Sequence, residues 1–317
     1  MTVLILARDL DPTADRMVTL LGERGVEVFR VNTAWFPTHV QVSVELRNAR
    51  WCGVLTAPHG RLDLDRVHAV WYRSPEAYRM PPELSPTEAH HARVEAKYGL
   101  GGVLASLPGL WCNHPSRVAD AAYKPVQLVR AAAAGLAVPD TLITNEPNAV
   151  REFAADGATV TKLVGGMAID EEGVRKNVYT RLLEEGDFTD LRGVEHSTHL
   201  FQRWVPKARE CRVTVIGPNI TAAAITAGSP QGYVDYRTDY DNLSCELVDP
   251  PERVIAGIRL LMTGFGLVFG ALDFVITPAG EWVFLEINPT GQYGFIEHAT
   301  GAPLSAQLAD LLAGTGP

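Results

Sequence analysis

The chain has 317 residues, of which 46% are hydrophobic and 21% are charged, a composition that excludes a disordered or collagen-like protein. Its length predicts two or three compact lobes. The formal net charge of −9 argues against non-specific nucleic-acid binding, and no apolar run is long enough to span a bilayer.

The first segment, MTVLILARDLDP, predicts a β-strand and not a signal peptide, because its short apolar stretch lacks preceding basic residues and ends at Arg8 and Asp9. The four cysteines are scattered without paired spacing. We therefore expect neither a disulfide framework nor a zinc site, and the pattern fits a reducing cytoplasm.

Residues 1–109 predict a doubly wound α/β lobe, because short aliphatic strands alternate with segments of helical periodicity. Pro108 and Gly109 are expected to end this lobe. The predicted strands lie at Val3–Ala7, Val26–Val31, Val42–Leu46 and Ala69–Tyr72, and the predicted helices lie at 12–24 and 86–107.

The rest of the chain predicts a mixed lobe over residues 110–198 and a strand-rich lobe over residues 199–317, so the fold class is α/β with α+β lobes. The mixed lobe has an alanine-rich helix at 120–135 and strands at 141–144, 159–164 and 177–183. The strand-rich lobe has strands at 199–205, 210–216 and 220–226, a helix at 251–263 and a closing hairpin over 267–288.

Three oxygen-bearing side chains lie in the closing hairpin. If residues 278–281 form its loop, Asp273 lies opposite Glu286, and Asn288 points to the same face because strand side chains alternate. Three hard oxygen donors on one face suit Mg²⁺, which takes few protein ligands. A solvent-facing hairpin with incidental acids is less favoured, because these acids interrupt apolar strands where a charge needs a partner.

Lys162 lies in a short apolar strand that runs into Gly165 and Gly166. This pattern suits nucleotide binding, because the ammonium meets a phosphate and the glycine backbone can close over it. The glycines alone could equally form a hairpin turn. Lys124, taken alone, predicts a surface helix lysine.

The stretch FQRWVPKARECRVTVIG suits the base and ribose of a nucleotide. The backbone of Gln202-Arg203-Trp204-Val205 could meet an adenine edge, and Glu210 could accept hydrogen bonds from ribose hydroxyls. Arg212 could clamp a phosphate or acyl phosphate. An amphipathic strand pair with a Glu–Arg salt bridge explains any one of these residues equally well.

In order and spacing, the whole set resembles the ATP-grasp superfamily over roughly residues 110–317. Within it, the chain resembles the branch containing ribosomal-protein glutamate ligases and, more narrowly, the maturases of microviridin-type peptides, or graspetides. The strings that carry this resemblance are VWYRSP, NHPSRVADAAYKPVQLVRAAAAGLAVPDTLITN, FQRWVPKARECRVTVIG, VDYR and LEINPTGQYGFIEHATGAPL.

The resemblance implies an ATP-grasp fold that binds ATP between the mixed and strand-rich lobes. One departure is Arg203, where an acidic residue often lies beside the hinge. The implied roles are phosphate binding by Lys124 and Lys162, an adenine hinge at Gln202–Val205, γ-phosphate contact by Arg212, acceptor and substrate-carboxylate contact by Asp235 and Arg237, and Mg²⁺ binding by Asp273, Glu286 and Asn288.

The leading hypothesis for function is a graspetide macrocyclase. ATP would activate an Asp or Glu side chain of a ribosomal precursor peptide, leader plus acidic core, and a Ser, Thr or Lys of the same peptide would capture it. An amino-acid ligase acting on a protein or small-molecule carboxylate is the alternative enzyme. A non-catalytic nucleotide-binding regulator is disfavoured by the complete metal set. The resemblance also implies a homodimer, and no nucleic-acid or membrane partner is expected.

Two further features carry no assigned role. Arg73, in VWYRSP, could meet an acidic peptide or form a salt bridge within the first lobe. The histidines His90, His91, His196 and His199 are interpreted as exposed or structural, not as metal ligands.

Overall fold

A computed structural model of the chain describes residues 1–166, 168–171 and 174–315. Strands and helices are mixed along the sequence, and the predicted α/β class is confirmed.

The N-terminal region contains a parallel sheet of order β2-β1-β6-β7, which is typical of doubly wound lobes, and a small antiparallel sheet of order β3-β4-β5. Its elements are β1 (Thr2–Ala7), α1 (Pro12–Glu23), β2 (Glu27–Val31), β3 (Gln41–Arg47), β4 (Arg50–Ala57), β5 (Gly60–Asp63), β6 (Val67–Ser74), α2 (Pro86–Tyr98), α3 (Leu100–Ala105) and β7 (Leu110–Cys112). Because β7 pairs with β6, this sheet extends past residue 109.

The middle region contains a sheet of order β12-β9-β13-β8 and a separate hairpin of β10 and β11. Its elements are α4 (Pro115–Ala121), α5 (Lys124–Ala133), β8 (Thr141–Thr144), α6 (Pro147–Ala155), β9 (Thr159–Lys162), β10 (Ala168–Glu171), β11 (Val174–Asn177), β12 (Arg181–Leu182) and β13 (His199–Arg203). β13 therefore belongs to this sheet, although the strand-rich lobe is predicted to begin at residue 199.

The C-terminal region contains an antiparallel sheet of order β16-β15-β14-β17-β18. Its elements are β14 (Arg209–Ile216), β15 (Asn219–Ala227), α7 (Pro230–Val234), β16 (Leu243–Val248), α8 (Glu252–Phe265), β17 (Phe269–Ile276), β18 (Trp282–Asn288), α9 (Gly294–Thr300) and α10 (Leu304–Ala313).

Three segments predicted as continuous elements are divided. The helix predicted at 86–107 breaks at Gly99, and the helix predicted at 120–135 is divided between the end of α4 and α5, which starts at Lys124. Pro125 explains the second break, because proline has no N–H and fits only the first turn of a helix. The strand predicted at 177–183 is split between β11 and β12.

The two faces of the five-stranded sheet have different surroundings. One face packs against α8 and α5 through a buried core that includes Val213, Leu272 and Phe274. On the other face, Ile216 and Phe269 share a core with β1, α1, α9 and α10. The remainder of that second face is left for a cleft beside the sheet of the middle region.

No helix within the described ranges combines the length and the apolar character needed to cross a membrane.

Candidate functional site

Three charged side chains form a row across the five-stranded sheet. Arg212 on β14 pairs with Asp273 on β17, and Asp273 pairs with Glu286 on β18. The Nε of Arg212 lies 2.8 Å from Oδ1 of Asp273. The cross-strand pair that the sequence predicts is therefore present, on the face of the sheet away from α8.

This pairing depends on a β-bulge in β18. Phe284 and Glu286 pair with adjacent residues of β17, so Leu285 is an extra residue. Phe284 and Ile287 both enter the core, although residues three apart in a regular strand face opposite sides. If β18 were regular, with Leu285 in the ladder, Glu286 would point to the same side as Phe284, into the core. The bulge thus turns Glu286 onto the face that carries Asp273.

Cations surround the Glu286 carboxylate. The Nζ of Lys124 lies 3.1 Å from its Oε2, and Nη1 of Arg237 lies 3.7 Å from its Oε1. Burial alone would raise the pKa of Glu286, but Lys162, Lys124 and Arg237 lower it to about 2. Burial raises the pKa of Asp273, and Arg212 opposes that shift. Glu286 is therefore held firmly ionised.

The VDYR segment lies beside this row. Arg237 donates two hydrogen bonds of 2.7 Å to the carboxylate of Asp235, which also accepts the backbone N–H of Thr180 at 3.0 Å. Arg212 donates to the hydroxyl of Tyr236 at 2.7 Å. Burial would raise the pKa of Asp235, but its bonds to Arg237 lower it. The VDYR segment thereby fixes Arg212, at one end of the row, and Arg237, beside Glu286 at the other end.

A cleft with about 590 Å³ of empty space lies between the middle sheet and the five-stranded sheet. Its apolar wall includes Val160, Trp204, Val205, Val234, Val275 and Leu285, and its polar wall includes Lys162, Glu210, Asp235, Arg237, Asp273 and Glu286. A lining that combines apolar side chains with a few convergent polar groups is typical of small-molecule sites.

The end of β13 forms one side of the cleft. Arg203 N–H donates to Asp140 C=O and Trp204 N–H donates to Ala158 C=O, both at 2.8 Å. Among the described residues, the N–H of Val205 has no such partner. One backbone donor at the predicted hinge is therefore available to a ligand.

The two polar side chains of the hinge do not face the same way. Gln202 pairs with Val160, a cleft residue, and its Nε2 donates to Thr141 Oγ1 at 2.8 Å. Arg203 points to the other face, where it donates to the carbonyls of Phe153 at 2.8 Å and Gly157 at 2.6 Å. Its guanidinium thus binds the C-terminal end of α6, and only its backbone belongs to the hinge.

Lys207 is a cleft residue that the sequence analysis did not identify. Its buried ammonium donates to Glu210 Oε1 at 2.6 Å and to Val234 C=O at 3.1 Å, and it lies 5.3 Å from the centre of the Trp204 ring. The hydroxyl of Tyr233 donates to the Lys207 carbonyl at 3.0 Å. Burial raises the pKa of Glu210, and Lys207 opposes that shift. Lys207 therefore joins the hinge to the end of α7.

Other predicted residues lie outside the lining of the cleft. Gly165 and Gly166 are exposed in the connection after β9, with open space around each Cα. Asn288 is on the same face as Glu286, but its Oδ1 accepts the backbone N–H of Thr290 at 3.0 Å. Within the described ranges, no cluster of three His, Cys, Asp or Glu side chains has metal-binding geometry, so a metal would need the amide oxygen or a ligand oxygen.

Arg73 lies in the N-terminal region, in an ion pair with Asp11 at 3.2 Å. Both side chains are 3% exposed. Of the two roles that the sequence leaves open, the structure shows the salt bridge.

Comparisons with known proteins agree with this geometry. A family model described as the MvdD pre-ATP grasp domain matches residues 2–119. The macrocyclase MdnC of Microcystis aeruginosa MRC, solved with the precursor peptide MdnA, has a TM-score of 0.86 at 30% identity, covering 99% of this chain and 100% of that one. A RiPP-associated ATP-grasp ligase of Chryseobacterium gregarium, solved with ADP and a leader and core peptide, has a TM-score of 0.90 at 27% identity, covering 100% and 97%.

Macrocyclase MdnB from the same Microcystis strain has a TM-score of 0.81 at 29% identity, covering 98% of each chain. A comparison with curated protein sequences found no match. Fold and site together define an ATP-grasp ligase. The chain belongs to the family of ATP-grasp macrocyclases that mature ribosomally synthesised peptides.

Proposed function

We propose that this protein macrocyclises a ribosomal precursor peptide, leader plus acidic core, by joining an Asp or Glu side chain to a Ser or Thr hydroxyl or a Lys amine. One observation carries the proposal: Asp273, Glu286 and the Asp235–Arg237 pair line one cleft, and the buried Arg212 pairs with Asp273 beside it. A nucleotide phosphate and a substrate carboxylate can both bind there.

ATP is the nucleotide we propose for the cleft. The N–H of Val205, which has no partner within the described ranges, and the apolar wall suit adenine, and Glu210 suits the ribose hydroxyls. Lys162 and Lys124 suit the phosphates, since each lies close enough to Glu286 to lower its pKa. Gly165 and Gly166 remain predicted phosphate contacts, for which the exposed connection after β9 leaves open space.

Mg²⁺ is the metal that fits the donor set. Asp273 and Glu286 supply carboxylate oxygens from directly paired positions, and Asn288 supplies an amide oxygen from the same face. Hard oxygen donors of this kind, completed by phosphate and water oxygens, are the ligands that Mg²⁺ prefers. When bound, the metal supplies positive charge to the phosphate oxygens.

The reaction then follows from the positions of the charges. An oxygen of the peptide carboxylate bonds to the γ-phosphorus as the bond to the ADP oxygen breaks, and Arg212 stabilises the negative charge of the transferring group. The acyl phosphate is attacked by the hydroxyl or amine, which loses its proton as inorganic phosphate leaves. Each ring closure consumes one ATP and removes one water from the peptide. Arg237 would orient the carboxylate and Asp235 would hold Arg237, because their two hydrogen bonds fix the guanidinium.

The organisation of the chain is proposed on the same basis. The three predicted parts are an N-terminal pre-ATP-grasp domain, a central subdomain and a C-terminal subdomain; because β7 and β13 belong to the sheets before them, we place the two boundaries after Cys112 and Arg203 rather than after residues 109 and 198. A homodimer in the cytoplasm, with no nucleic-acid or membrane partner, completes the proposal.

Mass spectrometry of a candidate precursor peptide incubated with the protein, ATP and Mg²⁺ tests this function. The peptide is expected to become lighter by whole multiples of water, about 18 Da each, with one ADP formed per ring. Glu286→Gln, which nearly preserves shape, should form neither ADP nor product. A peptide that gains mass, as an amino-acid ligase would produce, or ADP formation with no change of mass would overturn the macrocyclase proposal.

A further inference from the structure

The bulge that orients Glu286 lies at an open edge of the large sheet. β18 ends the order β16-β15-β14-β17-β18, so within the described part of the chain no strand pairs with its outer side. Outward-facing backbone groups recur at every second residue in a regular strand. Here they fall at Phe284 and Ile287, three residues apart, on either side of Leu285. The outer edge therefore shows the same extra residue as the pairing with β17.

Two groups from outside the sheet bind this edge. The carbonyl of Ala137 accepts the N–H of Phe284 at 2.8 Å. At Ile287, the side chain of Gln127 takes the place of a neighbouring strand. Its Oε1 accepts the Ile287 N–H and its Nε2 donates to the Ile287 carbonyl, both at 2.9 Å. The same Nε2 donates to Ala121 C=O at 2.7 Å, so the carboxamide makes three hydrogen bonds to backbone groups.

Gln127 has no role in lining the cleft. It is 3% exposed, and its bonds are made to backbone groups of β18 and α4. A buried carboxamide is costly unless it is hydrogen-bonded, and an aliphatic residue is the usual choice for a helix packed on a sheet. The residue it binds is the neighbour of Glu286. One turn earlier on the same helix, Lys124 contacts the Glu286 carboxylate.

We infer that Gln127 is a positioning residue for Glu286, which holds the bulge in place so that the carboxylate faces Asp273 and not the core. Without its hydrogen bonds, the extra residue can move along β18, and each one-residue step exchanges the two faces of the strand. The inference rests on the proposed function, because it takes Glu286 as a metal ligand.

Gln127→Met tests the inference, since it keeps the length of the side chain and removes all three hydrogen bonds. The measurement is the affinity for Mn²⁺ in the presence of ADP. Electron paramagnetic resonance detects binding as a loss of the signal of free Mn²⁺. Affinity for Mn²⁺ is expected to fall roughly 10–100-fold, the usual effect of losing an outer-shell partner of a metal ligand. Affinity for ADP in EDTA should stay at the wild-type value, because the hinge is untouched.

Leu308→Val is the matched control for lost stability. Leu308 is fully buried in the core shared by α10 and the N-terminal region, and it is not part of the core beneath β18. This variant should bind Mn²⁺ as the wild type does. Wild-type affinity in Gln127→Met as well would overturn the inference.

Two further variants keep the test decisive. If Gln127→Met does not fold, Gln127→Glu is measured instead. It keeps an acceptor for the Ile287 N–H but turns a carboxylate toward two carbonyls, so weaker Mn²⁺ binding is again expected, and unchanged binding again overturns the inference.

Glu286→Gln separates the role of Gln127 from the proposed metal site. Wild-type Mn²⁺ affinity in that variant would remove the metal assignment, whereas a loss there with wild-type affinity in the Gln127 variant removes only the role of Gln127.

Discussion

Two buried arginine–aspartate pairs lie in different regions of the molecule and differ in how fully their hydrogen-bonding groups are used. In the N-terminal region, Arg73 donates to Asp11 at 3.2 Å, to Thr290 C=O at 3.3 Å and to Gln292 Oε1 at 2.6 Å. Asp11 also accepts the Ser74 hydroxyl at 2.8 Å and caps the N-terminus of α1. Both members are saturated by protein groups.

The pair in the cleft is less complete. The Nε of Arg212 lies 2.8 Å from Asp273, yet its N–H is not directed at the oxygen, and this atom has no hydrogen-bond partner in the described part of the chain. Asp273 lies opposite a second carboxylate, Glu286, which accounts in part for its raised pKa.

The comparison distinguishes a pair that serves the fold from one that we propose serves the reaction. A buried charge is costly unless its hydrogen bonds are made. The Arg73 pair meets that requirement within the protein, so its contribution is to hold the N-terminal region against the loop after β18. In the Arg212 pair one buried donor is left without a hydrogen bond within the described residues, and Asp273 lines the cleft beside Glu286, an arrangement typical of functional sites.

The largest expected effect is on stability, in Arg73→Ala. Removing one member of a buried pair leaves Asp11 uncompensated, and the free energy of unfolding should fall by about 3–5 kcal/mol. Urea denaturation measures this loss. Arg66→Ala is the control, because Arg66 pairs with Glu27 at the surface and should contribute less than about 1 kcal/mol. The fraction of Arg73→Ala protein that folds should turn over ATP at the wild-type rate. A loss of ATP turnover in folded protein would contradict a purely structural role for the Arg73 pair.

The next effect is on catalysis, in Arg212→Ala. The rate of peptide dehydration should fall about 10²–10³-fold, because one electrostatic stabiliser of the transferring phosphoryl group is lost. Initial rates by mass spectrometry provide the measurement. Arg209→Ala is a matched control on the same strand, since Arg209 pairs with the exposed Glu246. Equal rates in the two variants would show that Arg212 has no part in the reaction.

The pairing of Asp273 with Glu286, the proposed metal ligands, could be predicted from the sequence, but only because two differences between the predicted and observed hairpins cancel. The expected hairpin loop, 278–281, places Asp273 opposite Glu286 in a regular ladder. The observed loop is one residue longer, and β17 ends at Ile276. The bulge at Leu285 restores the pairing. Nothing in a single sequence marks a bulge of this kind, because the groups that bind β18 on either side of it, Gln127 and Ala137, come from distant segments.

The positions of two other charged side chains differ in whether the sequence could have predicted them. The direction of Arg203 follows from strand alternation once Gln202 is assigned to the cleft, so it could have been predicted. Lys207 could not, because a lysine between proline and alanine reads as solvated, and its burial requires Tyr233 and Val234 from a distant segment.

A smaller effect concerns pH and the saturated pair. Burial alone would raise the pKa of Asp11, but Arg73, Ser74 and the N–H of Ala14 outweigh it and lower the pKa below 3.8. A lowered native pKa stabilises the fold above the unfolded pKa, and this stabilisation is lost as pH falls through the native value. Asp11→Asn should therefore flatten the dependence of unfolding free energy on pH below about 4, by at most about 1.4 kcal/mol per pH unit. Urea titrations between about pH 3 and pH 5, on either side of the ordinary aspartate pKa, check this prediction. An unchanged slope of unfolding free energy against pH in Asp11→Asn would contradict it.

The smallest expected effect concerns Arg203, whose backbone lies at the cleft while its side chain is bound by protein groups elsewhere. Arg203 belongs to the hinge by its backbone, but its guanidinium is occupied by the Phe153 and Gly157 carbonyls on the far side of the sheet. Arg203→Met should lower the free energy of unfolding by about 1 kcal/mol and leave the affinity for ADP, measured by calorimetry, unchanged. Lys162→Met, on the cleft face of the same sheet, is the matched variant and should weaken ADP binding by about 1.5–3 kcal/mol. If Arg203→Met weakened ADP binding as much, an arginine saturated by protein groups would still serve the ligand, and saturation would no longer separate structural from functional arginines.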